Sequence, residues 1–109
     1  MLSKRKSTTS GKIIVAFHIP GAIWAERINL VGDFNDWHRE SLPFLRDRQG
    51  DWVIELELEA GREYRFRYLF DGREWRDEFQ ADKFIRNEYG SYDSLVIVEL
   101  EDNAAEERK

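Results

Sequence analysis

The chain has 109 residues, enough for one domain with one hydrophobic core. Its formal net charge is -5, from 17 Lys+Arg against 22 Asp+Glu, which argues against general binding to a phosphate backbone. It has no cysteine, which excludes a disulfide framework and a thiolate metal site, and no apolar run approaches the ~20 residues of a membrane span.

The first eleven residues, "MLSKRKSTTSG", are polar and basic and read as a disordered tail. No apolar stretch follows this basic head, so no secretion signal is read and a cytoplasmic location is expected. Alternation starts at Ile13: Ile13, Val15, Phe17 and Ile19 share one face, and Pro20-Gly21 ends the strand. "RINLVG" (27–32) is a second short strand, followed by the turn "DFNDWHRES". "LPFLRD" reads as an edge strand, because Pro43 cannot donate to a ladder. "WVIELELE" is the clearest strand, with Trp52, Ile54, Leu56 and Leu58 inward and Glu55, Glu57 and Glu59 outward.

"EYRFRYLF" returns after "AGR", with Tyr64, Phe66, Tyr68 and Phe70 inward. The outward Arg65 and Arg67 are expected to pair across strands with the Glu row. Asp71-Gly72 predicts a tight hairpin turn into "REWR". Residues 77–92 read as a long polar and aromatic loop, a kind that often carries function. "SLVIVEL" closes the domain, with Val96, Val98 and Leu100 on one face. The expected organisation is a domain over residues 12–101 and a charged tail over 102–109. No 3.6-residue period is sustained, so about seven short antiparallel strands predict an all-β sandwich of two packed sheets.

Catalysis finds no support. His18 and His38 lie apart with no cysteine to join them, so no metal or other cofactor is expected. Asp33 and Asp36 flank one turn, and Asp77 and Glu78 open the long segment. Glycoside cleavage needs two carboxyls on opposite sides of a sugar ring, one with a raised pKa, whereas aspartates in tight turns ordinarily cap amides. Neither G-x-S-x-G nor a glycine-rich phosphate loop occurs.

Binding has more behind it. Trp37 ends the turn after the second strand, Trp75 follows the Asp71-Gly72 turn, and Tyr89 and Tyr92 sit in "NEYGSYDS". A sugar ring stacks its apolar C–H face on indole, while its hydroxyls seek Asn, Asp, Arg and Ser. By analogy with aromatic pairing and base stacking, each ring contributes about 1–2 kcal/mol. Each feature also has a structural reading: Trp37 as a lid on the core, Arg67 as a cross-strand ion-pair partner. Trp24, in apolar "GAIWA", and Trp52 are assigned to packing.

"VGDFNDW", "YRFRYLFDGREW" and "NEYGSYDSLVIV" together resemble, in that order, carbohydrate-binding module family 48. That family includes the glycogen-binding domain of AMP-activated protein kinase β subunits and the early-set N-terminal domains of isoamylase and branching enzymes. The resemblance covers about residues 13–100 and implies an immunoglobulin-like (early-set) β-sandwich that binds α-1,4-glucan between two tryptophans. Carried across by motif, Trp37 matches the first platform and Trp75 the second. Arg67 stands where the kinase type has lysine. Tyr89, Ser91 and Asp93 stand for leucine, threonine and asparagine. One residue more lies between Gly72 and Trp75 than in the kinase type.

The expectation is therefore non-catalytic binding of glycogen, starch, maltooligosaccharide or cyclodextrin. Trp37, Trp75 and Arg67 would form the platform, with Asn35, Tyr89, Ser91 and Asp93 near the sugar hydroxyls. The alternative is an early-set interaction domain that binds no sugar and docks on a glucan-metabolising enzyme or kinase-like subunit. A detached accessory domain of a glucan enzyme is a third reading. A nucleic-acid reader using Arg65, Arg67, Arg73 and Arg76 is opposed by the net charge and the Glu row.

Overall fold

The computed structural model describes residues 1–99, and the alternating segments in it form nine strands. They are β1 (Leu2–Lys6), β2 (Lys12–Ile19), β3 (Ile28–Gly32), β4 (Leu45–Arg46), β5 (Trp52–Glu59), β6 (Arg62–Phe70), β7 (Glu74–Arg76), β8 (Lys83–Arg86) and β9 (Tyr92–Val98). Leu100, the domain end at 101 and the expected tail at 102–109 lie outside the described residues. Among the described residues there is no α-helix, only a 3-10 turn at Asp33–Asn35, and so no helix able to cross a membrane.

Two antiparallel sheets pack as a sandwich. One has the order β1-β2-β5-β4, the other β3-β6-β9-β8, with β7 also paired to β6. The alternation places the core as expected. Ile13, Val15, Phe17 and Ile19 from the first sheet meet Tyr64, Phe66, Tyr68 and Phe70 from the second, all buried. Phe17 and Phe66 meet edge-on across the gap, with ring centres 5.1 Å apart. Tyr68 donates its hydroxyl to the buried carboxylate of Glu78 at 2.6 Å. Burial and that carboxylate push the Tyr68 hydroxyl well up from its ordinary pKa.

Five expectations need correction. Residues 2–6, expected as part of a tail, form an edge strand on β2. Their charges are matched by distant acids, Lys4 by Asp82 at 2.7 Å and Arg5 by Glu55 at 2.9 Å. The segment β5–β6 is not a hairpin: the two strands lie in different sheets. Hence Glu55 meets Arg5 and Glu57 meets Ser7, while Arg67 Nε meets Asp77 at 3.0 Å; Glu59–Arg62 is the ion pair that joins these two strands. Residues 77–92 contain β8, which pairs with β9. Trp24 is not packed but 76% exposed. The segment around Pro43 changes sheets, with Pro43 bridged to Asn29 and Leu45–Arg46 paired to β5.

Two turn aspartates make the sandwich sensitive to acid. Asp51 accepts the Gly21 amide at 2.7 Å and faces His18 Nε2 at 3.0 Å. Asp71 accepts the amides of Arg27 at 3.0 Å and Glu26 at 2.8 Å. These backbone donors hold both carboxyls below their ordinary pKa. A proton therefore binds the unfolded chain more readily than the folded one. The stabilisation is complete above about pH 5 and is lost as the pH falls through the lowered folded-state values. Urea midpoints should drop steadily from pH 5 to pH 2, with a shallower drop in Asp71→Asn. A midpoint independent of pH over that range would contradict this.

Candidate functional site

The outer face of the second sheet, away from the core, carries the site. On β6 the core takes residues 64, 66, 68 and 70, so Arg65, Arg67 and Leu69 face outward. β3 pairs with β6 over residues 66–70, while β9 pairs over 62–66 and β7 over 68–70. β7 and β9 therefore lie end to end along the same side of β6. Trp75 stands opposite Leu69 on that outer face. The turn before it holds Asp71 (φ 54°) and Gly72 (φ 73°) in the left-handed region that a tight hairpin needs. Three residues, Asp71 to Arg73, separate the paired Phe70 and Glu74, so the turn absorbs the extra residue.

Trp37 reaches the same face by a different route. β3 ends at Gly32, where the chain presses on β6: a Cβ there would sit 2.4 Å from the Arg65 carbonyl oxygen. The 3-10 turn follows, and its Phe34 packs against the core, 5.9 Å from Phe17 between ring centres. Asp36 (φ 55°) and Trp37 (φ 59°) are then both left-handed. That conformation costs a bulky L-residue about 1–2 kcal/mol, so the surroundings must impose it. They do: the Trp37 amide bonds the Gly32 carbonyl at 2.9 Å, and indole Nε1 donates to Asp33 Oδ1 at 2.9 Å. Asp33 Oδ2 accepts the Arg65 amide at 2.8 Å, just past the last β3–β6 pair. One aspartate thus ties the first indole to the strand that carries the arginines.

Both indoles line one open cleft of about 610 Å³, together with Arg39, Arg65, Arg67 and Tyr89. Guanidinium groups attend the Trp75 ring, Arg39 at 5.4 Å and Arg67 at 5.8 Å from its centre. Tyr89 is 85% exposed at the rim. Asp93 lines the cleft floor but is largely buried, accepting Asn87 Nδ2 at 3.1 Å.

Of the seven residues expected at the site, Trp37, Trp75, Arg67, Tyr89 and Asp93 converge on this cleft. Asn35 does not. Its Oδ1 accepts the Gly32 amide at 3.0 Å, and its Nδ2 donates to the His38 carbonyl at 3.0 Å and Ser41 Oγ at 2.8 Å. It braces the turn, and it lines a second open cleft that Trp37 and Arg39 also border. Ser91 is half-buried below the rim and is not among the lining residues. Arg39, Asp33, Asn87 and Glu88 line the cleft without having been singled out as ligand contacts. Neither the approach of Arg39 to Trp75 nor the reach of Asp33 to β6 left a local sequence signal.

His18, Asp47 and Asp51 also cluster, but the acids are engaged: Asp47 Oδ1 accepts the amides of Gln49 and Asp51 in its own turn, and Asp51 accepts the Gly21 amide from the turn after β2. No curated protein matches the chain. The family model for carbohydrate-binding module 48 (isoamylase N-terminal domain) matches residues 13–85, from β2 into β8. Tyr89, Ser91 and Asp93 lie beyond the matched span. With two-thirds of its length matched, and both indoles inside the match, the chain belongs to carbohydrate-binding module family 48, a family of non-catalytic carbohydrate-binding modules.

Proposed function

We propose that this domain binds α-1,4-glucan, as glycogen, starch or maltooligosaccharide, and catalyses no reaction. The observation that carries the reading is that Trp37, held in a strained left-handed conformation, lines the same cleft as Trp75. A plain sandwich has no use for that strain. Trp37 and Trp75 stack on the glucose faces, Arg67 and Tyr89 reach hydroxyls, and Asp93 shapes the floor, while Ser91 serves indirectly through its amide, which Asn87 Oδ1 accepts at 3.1 Å. Asn35 serves indirectly, by holding the turn.

Titration with β-cyclodextrin or maltoheptaose should change tryptophan fluorescence and release heat. Silence in both signals at millimolar sugar would overturn the reading. The alternative, a domain that docks on a glucan-metabolising enzyme or kinase-like subunit, draws on one observation: Trp24 and Phe79 are exposed away from the cleft, Phe79 to 92%. Capture of such a partner together with a silent sugar titration would favour it.

A further inference from the structure

The cleft is richer in donors than a neutral sugar requires. Arg39, Arg65 and Arg67 all line it, and they differ in how well each is neutralised. Arg67 Nε is held by Asp77 at 3.0 Å. Arg65 approaches Asp93 Oδ2 only at 3.9 Å. Arg39 is exposed and, among the described residues, has neither a carboxylate in ion-pair range nor a side-chain hydrogen bond. Yet it and Arg67 sit against the same indole.

Most of the cleft's carboxylate acceptors among the described residues, by contrast, are engaged. Asp33 gives one oxygen to Trp37 Nε1 and the other to the Arg65 amide. Asp93 is buried, with Oδ1 on Asn87 and Oδ2 facing Arg65 at 3.9 Å. Glu88 remains, but it is exposed at the rim, where solvent screens it. A sugar hydroxyl both donates and accepts, so a neutral ring wants acceptors as well as donors. Phosphate oxygens only accept, and the planar guanidinium fork matches them bidentately.

We propose that the cleft prefers an α-glucan esterified with phosphate, the phosphate lying at Arg39 and Arg65 while the adjoining glucose stacks on Trp75. This rests on the α-glucan reading of the cleft. It assigns Arg39 as the residue that sets the preference.

Calorimetric titrations would compare maltoheptaose with the same oligosaccharide carrying one 6-phosphate ester, at low and at high salt. The phosphorylated sugar should bind on the order of tenfold tighter at low salt. Salt should erode that ratio, and the ratio should grow as the second phosphate proton leaves near about pH 6. Arg39→Ala should bring the ratio close to one, and Arg39→Lys should restore part of it. Arg39→Gln gives a second neutral variant, and circular dichroism checks that each is folded. Equal affinities in the unaltered domain, or a ratio that survives Arg39→Ala, would overturn the proposal while leaving the α-glucan reading intact. If neither sugar binds, both fall.

Discussion

Trp37→Gly is expected to weaken maltoheptaose binding by roughly ten- to a hundredfold, the worth of one stacked ring at about 1–3 kcal/mol, while leaving the domain nearly as stable as before. The two effects separate because of the backbone. At φ 59° tryptophan carries about 1–2 kcal/mol of strain that glycine does not. Against that relief stand the greater freedom of glycine in the unfolded chain, about 0.5–1 kcal/mol, and the lost Nε1–Asp33 hydrogen bond, about 0.5–1.5 kcal/mol. The terms nearly cancel. Trp75→Ala should cost similar affinity but some stability as well, because the indole stands over Leu69, which is only 1% exposed. Sugar titration and urea unfolding on both variants give the answer. A large stability loss in Trp37→Gly with unchanged binding would make Trp37 a lid on the core and not a sugar platform.

Period-two alternation revealed which residues of β2, β5 and β6 face the core, because those strands bury mainly one side. It did not reveal sheet membership. Trp52–Glu59 and Arg62–Phe70 show the same inward rows whether they pair side by side or face each other across the core. The structure has the latter, so the Glu and Arg rows lie on opposite outer surfaces. β1 was hidden for another reason: the acids that balance Lys4 and Arg5, Asp82 and Glu55, are distant in sequence. β8 has four residues with no clean alternation, three of them exposed. Trp24 misled because apolar neighbours in "GAIWA" suggest burial, whereas only Ala25 of that stretch is buried.

The site followed the same division. Motif order singles out Trp37, Trp75, Arg67, Tyr89 and Asp93, which lie in turns and outward rows outside the core pattern, and the fold brings all five to one cleft. Asn35 carries an amide that, in the sequence, looks equally suited to a hydroxyl and to a turn carbonyl. Only geometry shows both ends of that amide consumed within the turn. Arg39 acquires meaning only when the fold brings it to Trp75, which lies 36 residues further along the chain.

Phe17→Ala should destabilise the domain by about 3–5 kcal/mol, the range for a fully buried phenylalanine. Phe17 belongs to the first sheet but touches both Phe66 of the second and Phe34 of the 3-10 turn, at 5.1 Å and 5.9 Å between ring centres. Its removal opens a cavity where the sheets meet. Small domains hold only about 5–15 kcal/mol in total, so the variant should remain folded only marginally. Phe34→Ala makes the informative partner, because Phe34 is half-buried and lies in the turn that aims Trp37. It should cost less stability than Phe17→Ala but more sugar affinity for each kcal/mol lost, since it frees the turn without opening the centre of the core. Urea unfolding and maltoheptaose titration, run on both variants at a temperature where each is folded, separate the two effects. A loss under about 1 kcal/mol in Phe17→Ala would mean that the sheets are not joined through this ring. Equal binding by Phe34→Ala and the unaltered domain would mean that the turn is held by its hydrogen bonds alone, through Asn35 and Asp33.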